Sequence, residues 1–115
     1  MKTYKSICEK LGVDTLVGAD LRNKDLRGAR LHGANLRNAN LSYTNLRNVD
    51  LRNAYLHGAD LRGANLRNAN LCDASLRDAN LCDADLRGAK LHHADLYNAD
   101  LRNAELDGAL IVEGE

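Results

Sequence analysis

The 115-residue chain has a mass of 12.6 kDa, which suits a single domain. Sixteen Lys and Arg balance sixteen Asp and Glu, so the overall charge argues against a polyanion-binding protein and against a mimic of DNA. Aromatic residues make up only 3% and Pro is absent, which argues against an ordinary mixed core; the longest apolar run, 109–112, excludes a membrane span.

The start of the chain carries no sign of a secretory signal, because no apolar segment follows the basic residues of 1–5. The three cysteines are too few for a disulfide framework and fit a reducing compartment. We therefore expect a cytoplasmic protein with reduced thiols.

Residues 3–11 are predicted to form a short amphipathic helix. The spacing of the segment 6–9 suggests a capping box, and Gly12 is a natural stop. The apolar residues of the segment share one helical face: Tyr4, Ile7, Cys8 and Leu11. We expect residues 1–14 to be a capping helix and lead-in that covers one end of the repeat that follows.

Leucine recurs at every fifth position from Leu11 to Leu106. At every fifth position from Ala19 to Ala109, two residues before a centre, sixteen of nineteen residues are Ala; the exceptions are Lys24, Thr44 and Val49. On a helix, successive Leu would step by about 140° and spread around the circumference, and on a flat strand they would alternate between faces. A short extended stretch followed by a turn at Gly, Asn or Asp buries Ala and Leu together, so each five-residue unit is predicted to form one side of a coil.

Runs such as 19–23, 64–68 and 99–103 read Ala-Asp/Asn-Leu followed by two variable residues. This pattern resembles the A(D/N)LXX signature of pentapeptide-repeat proteins and covers about residues 16–112. The resemblance implies an all-β solenoid, a right-handed quadrilateral β-helix with four repeats per coil and about five coils, here over 15–112. Unlike many members of that family, this chain has no Phe at a repeat centre.

Positions twenty apart would stack in columns on such a coil. One column contains four arginines: Arg27, Arg47, Arg67 and Arg87. The column could bind a phosphate chain or an acidic partner. Alternatively, it is an ordinary solvated column of side chains whose positive potential is reduced by the acidic residues between them, and we favour this interpretation. Tyr43 and Tyr55 depart from the repeat within one coil and are candidate partner contacts, although single surface aromatics are also common.

Catalytic and cofactor motifs are not apparent, so we expect no enzyme activity and no cofactor. Cys72 would lie one coil from His92, where a thiolate and an imidazole could share a zinc ion, but an open convex face is a poor structural site and we expect no metal. Cys72 and Cys82 would lie on opposite faces, too far apart for a disulfide.

The second end of the repeat has too few residues after Leu106 for a covering helix. Leu110, Ile111 and Val112 are therefore candidate contacts of an end-to-end homodimer, with 113–115 as a tail; a tail folded back on a monomer is the competing arrangement. The charge is also uneven along the chain: residues 1–57 carry a net charge of about +5 and residues 58–115 about −5.

These observations favour a non-enzymatic structural or protein-interaction module that presents a rigid repeat surface to a protein partner. The family resemblance implies an alternative, a DNA-mimicking protein directed at topoisomerase (gyrase), which the zero net charge opposes. Binding of an anionic ligand or nucleic acid through the arginine column is a further alternative. We expect no membrane partner and regard nucleic acid as the weaker candidate.

Overall fold

The computed structural model describes residues 2–111, so Val112 and the predicted tail lie outside the described residues. Helix α1 spans Tyr4–Leu11, and the molecule measures 39 × 26 × 24 Å along its principal axes. Within 2–111 no helix has the length and apolar character that a membrane crossing requires.

Helix α1 begins one residue later than predicted, because Thr3 is its N-cap. The Thr3 hydroxyl accepts a hydrogen bond from the Ser6 backbone N–H at 3.1 Å, and the Ser6 hydroxyl accepts one from the Thr3 N–H at 2.8 Å. The predicted capping box over 6–9 is therefore wrong, since Ser6 already occupies the third helical position. Gly12 ends the helix with a φ of +69°, as its lack of a Cβ allows.

The repeat winds into a coil whose register is twenty residues. The Leu61 N–H donates to the Asn80 carbonyl at 2.7 Å, and the Asn80 N–H donates back to the Ala59 carbonyl at 3.0 Å. Parallel bridges of this kind connect the residues that precede the repeat centres into four columns, three with five levels and one with four. Among residues 2–111 each pairing is a single-residue bridge rather than a longer strand, because the chain turns again after every repeat.

Each turn is closed by a hydrogen bond from the N–H of the next repeat to the Leu carbonyl, such as Ala64 to Leu61 at 3.1 Å. The residue two positions after each Leu from Leu16 to Leu106 has a positive φ, between +58° and +73°. This left-handed conformation explains why Gly, Asn and Asp dominate that position. Tyr43 and His93 adopt it as well, although neither residue type favours it as glycine does.

The interior is filled by leucine and alanine. Every repeat Leu from Leu16 to Leu91 is buried, and Val49 takes the place of an Ala without opening the wall. Thr44 is also buried, and its hydroxyl donates to the Leu41 carbonyl at 2.6 Å, which satisfies the one polar group at that position. The uniform side-chain size keeps successive coils in register.

The two ends of the coil differ, as the sequence predicted. At the first end, Ile7 and Cys8 of α1 are buried against the coil, and the Tyr4 hydroxyl accepts a hydrogen bond from the Leu16 N–H at 2.9 Å. Lys2 pairs with the first coil as a preceding coil would, because its carbonyl accepts a hydrogen bond from the Arg30 N–H at 2.8 Å. At the second end Leu96, Leu101 and Leu106 are only partly covered by the described chain, and Ile111 is exposed.

Candidate interaction surface

The residue before each Leu anchors the outward side chains of its own repeat. In Asp60-Leu61-Arg62 the carboxylate accepts the Arg62 backbone N–H at 3.1 Å and two guanidinium bonds at 2.8 and 2.6 Å. Six repeats have this arrangement: Asp20–Arg22, Asp25–Arg27, Asp50–Arg52, Asp60–Arg62, Asp85–Arg87 and Asp100–Arg102. Asn at the same position also accepts the backbone N–H, as Asn70 does from Cys72 at 3.1 Å.

These ion pairs stay charged across the neutral range. Hydrogen bonding to Arg22 lowers the pKa of the Asp20 carboxyl to about 2, and the same contact raises the pKa of Arg22. The Arg62 guanidinium likewise lowers the pKa of Asp60, although partial burial opposes the shift. Each pair is therefore a fixed, neutral doublet on the surface rather than a source of free charge.

The arginine column is largely neutralised in this way. Arg27 and Arg87 bind the carboxylates of their own repeats, and the Arg67 Nε lies 3.9 Å from the Asp85 carboxylate. Arg47 differs, because no carboxylate of the described chain lies within 4.0 Å of its guanidinium. The column offers one uncompensated guanidinium, which is a weak basis for binding a phosphate chain.

The two candidate tyrosines lie on different sides of their coil. Tyr43 is 63% exposed, and its ring stands directly over Gly63, where an added Cβ would collide with it. Tyr55 is 47% exposed and belongs to the fourth column, with the Arg37 guanidinium 5.1 Å from its ring centre. They therefore form two separate aromatic positions rather than one patch.

A third exposed aromatic was missed at the sequence level. Tyr97 is 68% exposed, and the Arg77 guanidinium lies 5.3 Å from its ring centre. Arg77 also binds the Asp95 carboxylate. The twenty-residue spacing of Arg77 and Tyr97 is the signal that would have placed them one above the other.

The cysteines and histidines do not converge on a metal site. Within 2–111 no group of three or more Cys, His, Asp or Glu has the geometry to hold an ion, and the Cys72–His92 region is no exception. All three cysteines are free thiols. Burial beneath α1 raises the pKa of the Cys8 thiol, whereas Cys72 and Cys82 are only partly covered by neighbouring side chains.

Comparison with solved structures places this architecture among known proteins. Rfr23 from the cyanobacterium Cyanothece 51142 is 36% identical over 81% of this chain and 64% of its own, with a TM-score of 0.80. QnrB1, a plasmid-mediated fluoroquinolone resistance protein, is 24% identical over 82% of this chain and 58% of its own, with a TM-score of 0.55, and shares the fold. HetL, involved in heterocyst differentiation regulation in the cyanobacterium Nostoc sp. strain PCC 7120, is 35% identical over 88% of this chain and 61% of its own, with a TM-score of 0.45.

This chain thus spans a little less than two thirds of the length of each of these three proteins. Among curated proteins none matches it. The family model described as pentapeptide repeats matches in eight copies, over 15–53, 29–68, 50–88, 64–103 and 83–110. The chain therefore belongs to the pentapeptide repeat family, whose members form right-handed quadrilateral β-helices.

Proposed function

We propose that this protein is a non-enzymatic structural or protein-interaction module that presents a rigid repeat surface to a protein partner. The observation that carries this proposal is the anchoring of outward side chains within their own repeats, as in Asp60-Leu61-Arg62. Side chains held in this way lose little conformational freedom when a partner binds. The leucine and alanine interior supports the same function, because it fills the coil and leaves the outer faces to make contacts.

Arg47, Tyr43 and Tyr55 are the outward residues best suited to contact a partner. Arg47 has no carboxylate neighbour in the described chain, so its guanidinium can pair with an acidic group of another protein. Tyrosine and arginine are enriched in protein interfaces because they combine a large contact area with hydrogen-bonding groups. Since the two tyrosines lie on different sides, a partner that contacts both must wrap around the coil.

The last coil supports a second contact, between two copies of the chain. Leu110 is 50% exposed and Ile111 47% exposed, beside backbone groups that pair with no further coil in the described residues. An end-to-end dimer related by a two-fold axis would pair both open edges and bury these side chains twice. Val112, the third candidate for this contact, lies outside the described residues.

The alternatives have weaker support. A gyrase-directed DNA mimic needs an acidic surface, whereas this chain has no net charge and repeatedly neutralises its carboxylates with arginine. Binding of nucleic acid through the arginine column is opposed by the carboxylates beside Arg27, Arg67 and Arg87. The free thiols favour a cytoplasmic location.

Affinity capture from an extract of the source cells, with the immobilised protein as bait, tests the proposed function. We expect one protein to bind the wild type in stoichiometric amount, to be lost with Arg47→Glu or Tyr55→Ala, and to be kept by the control Arg102→Ser, which removes an arginine that is paired within its own repeat and lies outside these positions. Retention of the captured protein by all these variants would contradict the assigned surface. Inhibition of gyrase supercoiling, or salt-sensitive retention on nucleic acid, would favour the alternatives instead.

A further inference from the structure

A cleft separates helix α1 from the open side of the first coil. Its volume is about 740 Å³, within the range of ligand-binding sites. Its apolar floor is formed by the partly covered Leu11, with the buried Ile7 and Leu26 beneath. The charged lining residues are four cations and one carboxylate: Lys2, Lys10, Arg22, Lys24 and Asp25.

Lys24 places an exposed cation at a position where most repeats bury an Ala. It occupies the position two residues before a repeat Leu, which in sixteen of nineteen repeats is Ala and faces inward. In the first coil no preceding coil stacks over this position, and the Lys24 side chain is exposed at the cleft beside α1. A lysine here adds nothing to the core and places a positive charge at the mouth of the cleft.

The negative charges near the cleft are already engaged. The Asp20 carboxylate binds Arg22, and the Asp25 carboxylate binds Arg27. Lys10 and Lys24 have no carboxylate partner within 4.0 Å in the part of the chain that the structure describes. The cleft therefore holds an excess of positive charge over an apolar floor.

The backbone at the cleft also has hydrogen-bonding capacity left. In later coils the N–H before each Leu donates to the preceding coil, as Asn45 does to the Lys24 carbonyl at 2.9 Å. The corresponding N–H of Asp25 meets no acceptor within residues 2–111, while Lys2 Nζ donates to the Asp25 carbonyl. On a neighbouring side, Lys2 and Thr3 show how an extended segment pairs with this edge, since they bridge to Arg30.

We propose that this cleft binds an acidic, extended peptide segment of a partner protein, with an apolar side chain between its carboxylates. The carboxylates would pair with Lys10 and Lys24, the apolar side chain would cover the accessible part of Leu11, and a main-chain carbonyl would accept the Asp25 N–H. A bare phosphate would leave the apolar floor uncovered. The assignment rests on the proposed function, that the protein is an interaction module, and places one partner contact at the covered end of the coil.

Titration of the ¹⁵N-labelled full chain with the peptide Glu-Glu-Leu-Glu-Glu, followed by amide NMR shifts, tests this proposal. We expect the Asp25 amide to shift, while the amide of Asp85 in the same column stays unchanged. Lys24→Ala should weaken binding about tenfold by removing one charge-assisted contact. That variant restores the residue of the repeat and should keep the fold, and Lys90→Ala, on another side of the coil, is the matched control.

Three results would overturn the proposal. If Lys24→Ala and the wild type bound the peptide with equal affinity, the peptide would not bind at the cleft. Equally strong binding of Lys-Lys-Leu-Lys-Lys would show that charge does not determine binding, and equally strong binding of Glu-Glu-Gly-Glu-Glu would show that the apolar floor does not contribute. Displacement of the peptide by millimolar inorganic phosphate would indicate a site for small anions instead. None of these results bears on the capture experiment, which tests a partner contact through Arg47 and Tyr55. Failure of the cleft site and failure of the proposed function are therefore distinguishable.

Discussion

The left-handed residue that ends each repeat is a local requirement of the fold, and Asn48 illustrates it with a φ of +60°. An alanine there would bring its Cβ against the following carbonyl, whereas glycine would not. We expect Asn48→Ala to lower the free energy of unfolding by about 1 kcal/mol and Asn48→Gly to change it by less than about 0.5 kcal/mol. Urea unfolding of both variants measures the difference, and equal effects would contradict the strained corner.

The corner was predictable from the sequence because Gly, Asn and Asp recur at a fixed offset. Tyr43 was recognised only as a departure from the repeat, since nothing local favours a positive φ for tyrosine. Its position became clear from the coil, where Gly63 twenty residues later leaves room for the ring. Residues with local preferences were therefore predictable, and those that depend on the next coil were not.

The paired carboxylates link stability to acid pH. The arginine partners lower the pKa of Asp20, Asp60 and Asp100 below the value of an Asp in the unfolded chain. The ion pairs therefore stabilise the folded protein fully above about pH 4. This stabilisation is lost as the pH falls through the pKa values of the folded protein, about 2 for Asp20. We expect the melting temperature to fall between about pH 4 and pH 2, and to fall less when all three are Asn. Asp73→Asn with Asp83→Asn is the control; an identical acid response of all three proteins would contradict the linkage.

At the scale of one repeat, the inward and outward positions should differ sharply in tolerance. Leu66 is completely buried between two coils, whereas Arg67 reaches a carboxylate only at 3.9 Å. We expect Leu66→Lys to unfold the domain, Leu66→Ala to cost about 2–5 kcal/mol, and Arg67→Ser to change stability by less than about 0.5 kcal/mol. Circular dichroism with thermal melting measures all three, and small, equal effects would contradict the coil.

Helix α1 depends on its N-cap. Thr3→Ala removes one half of the reciprocal hydrogen bonds with Ser6, and we expect a loss of about 1 kcal/mol in the stability of the helix. Because Lys2 accepts the Arg30 N–H, fraying of this segment should speed hydrogen exchange of the Arg30 amide while the Leu66 amide remains protected. Unchanged exchange at Arg30 would show that the cap does not hold the edge.

Elements were predicted unevenly. The period of five identified the repeat, and the apolar face of 3–11 identified the helix, because both patterns are local and regular. The capping-box spacing does not identify the cap uniquely, since Thr3 and Ser6 have the same spacing as Ser6 and Glu9. The cleft at Lys24 was not predicted, because its existence depends on which part of the first coil α1 leaves open.

For the whole molecule, the decisive feature is the inequality of its ends. Helix α1 and Lys2 cover part of the first edge, while the last coil exposes Leu110 and Ile111 beside unpaired backbone within the described residues. The positive half of the chain is the covered one, so charge favours head-to-tail contact. Coverage of the first edge opposes backbone pairing there, so we propose the last coil as the surface that contacts a second copy.

The molar mass in solution tests most directly the proposed contact between two copies of the chain through the open last coil. Light scattering at micromolar concentration should give about twice 12.6 kDa for the wild type. Leu110→Asp should return the mass to near 12.6 kDa, because two carboxylates would face each other across the two-fold contact. A wild-type mass near 12.6 kDa, or a dimer that Leu110→Asp leaves intact, would contradict the assigned contact.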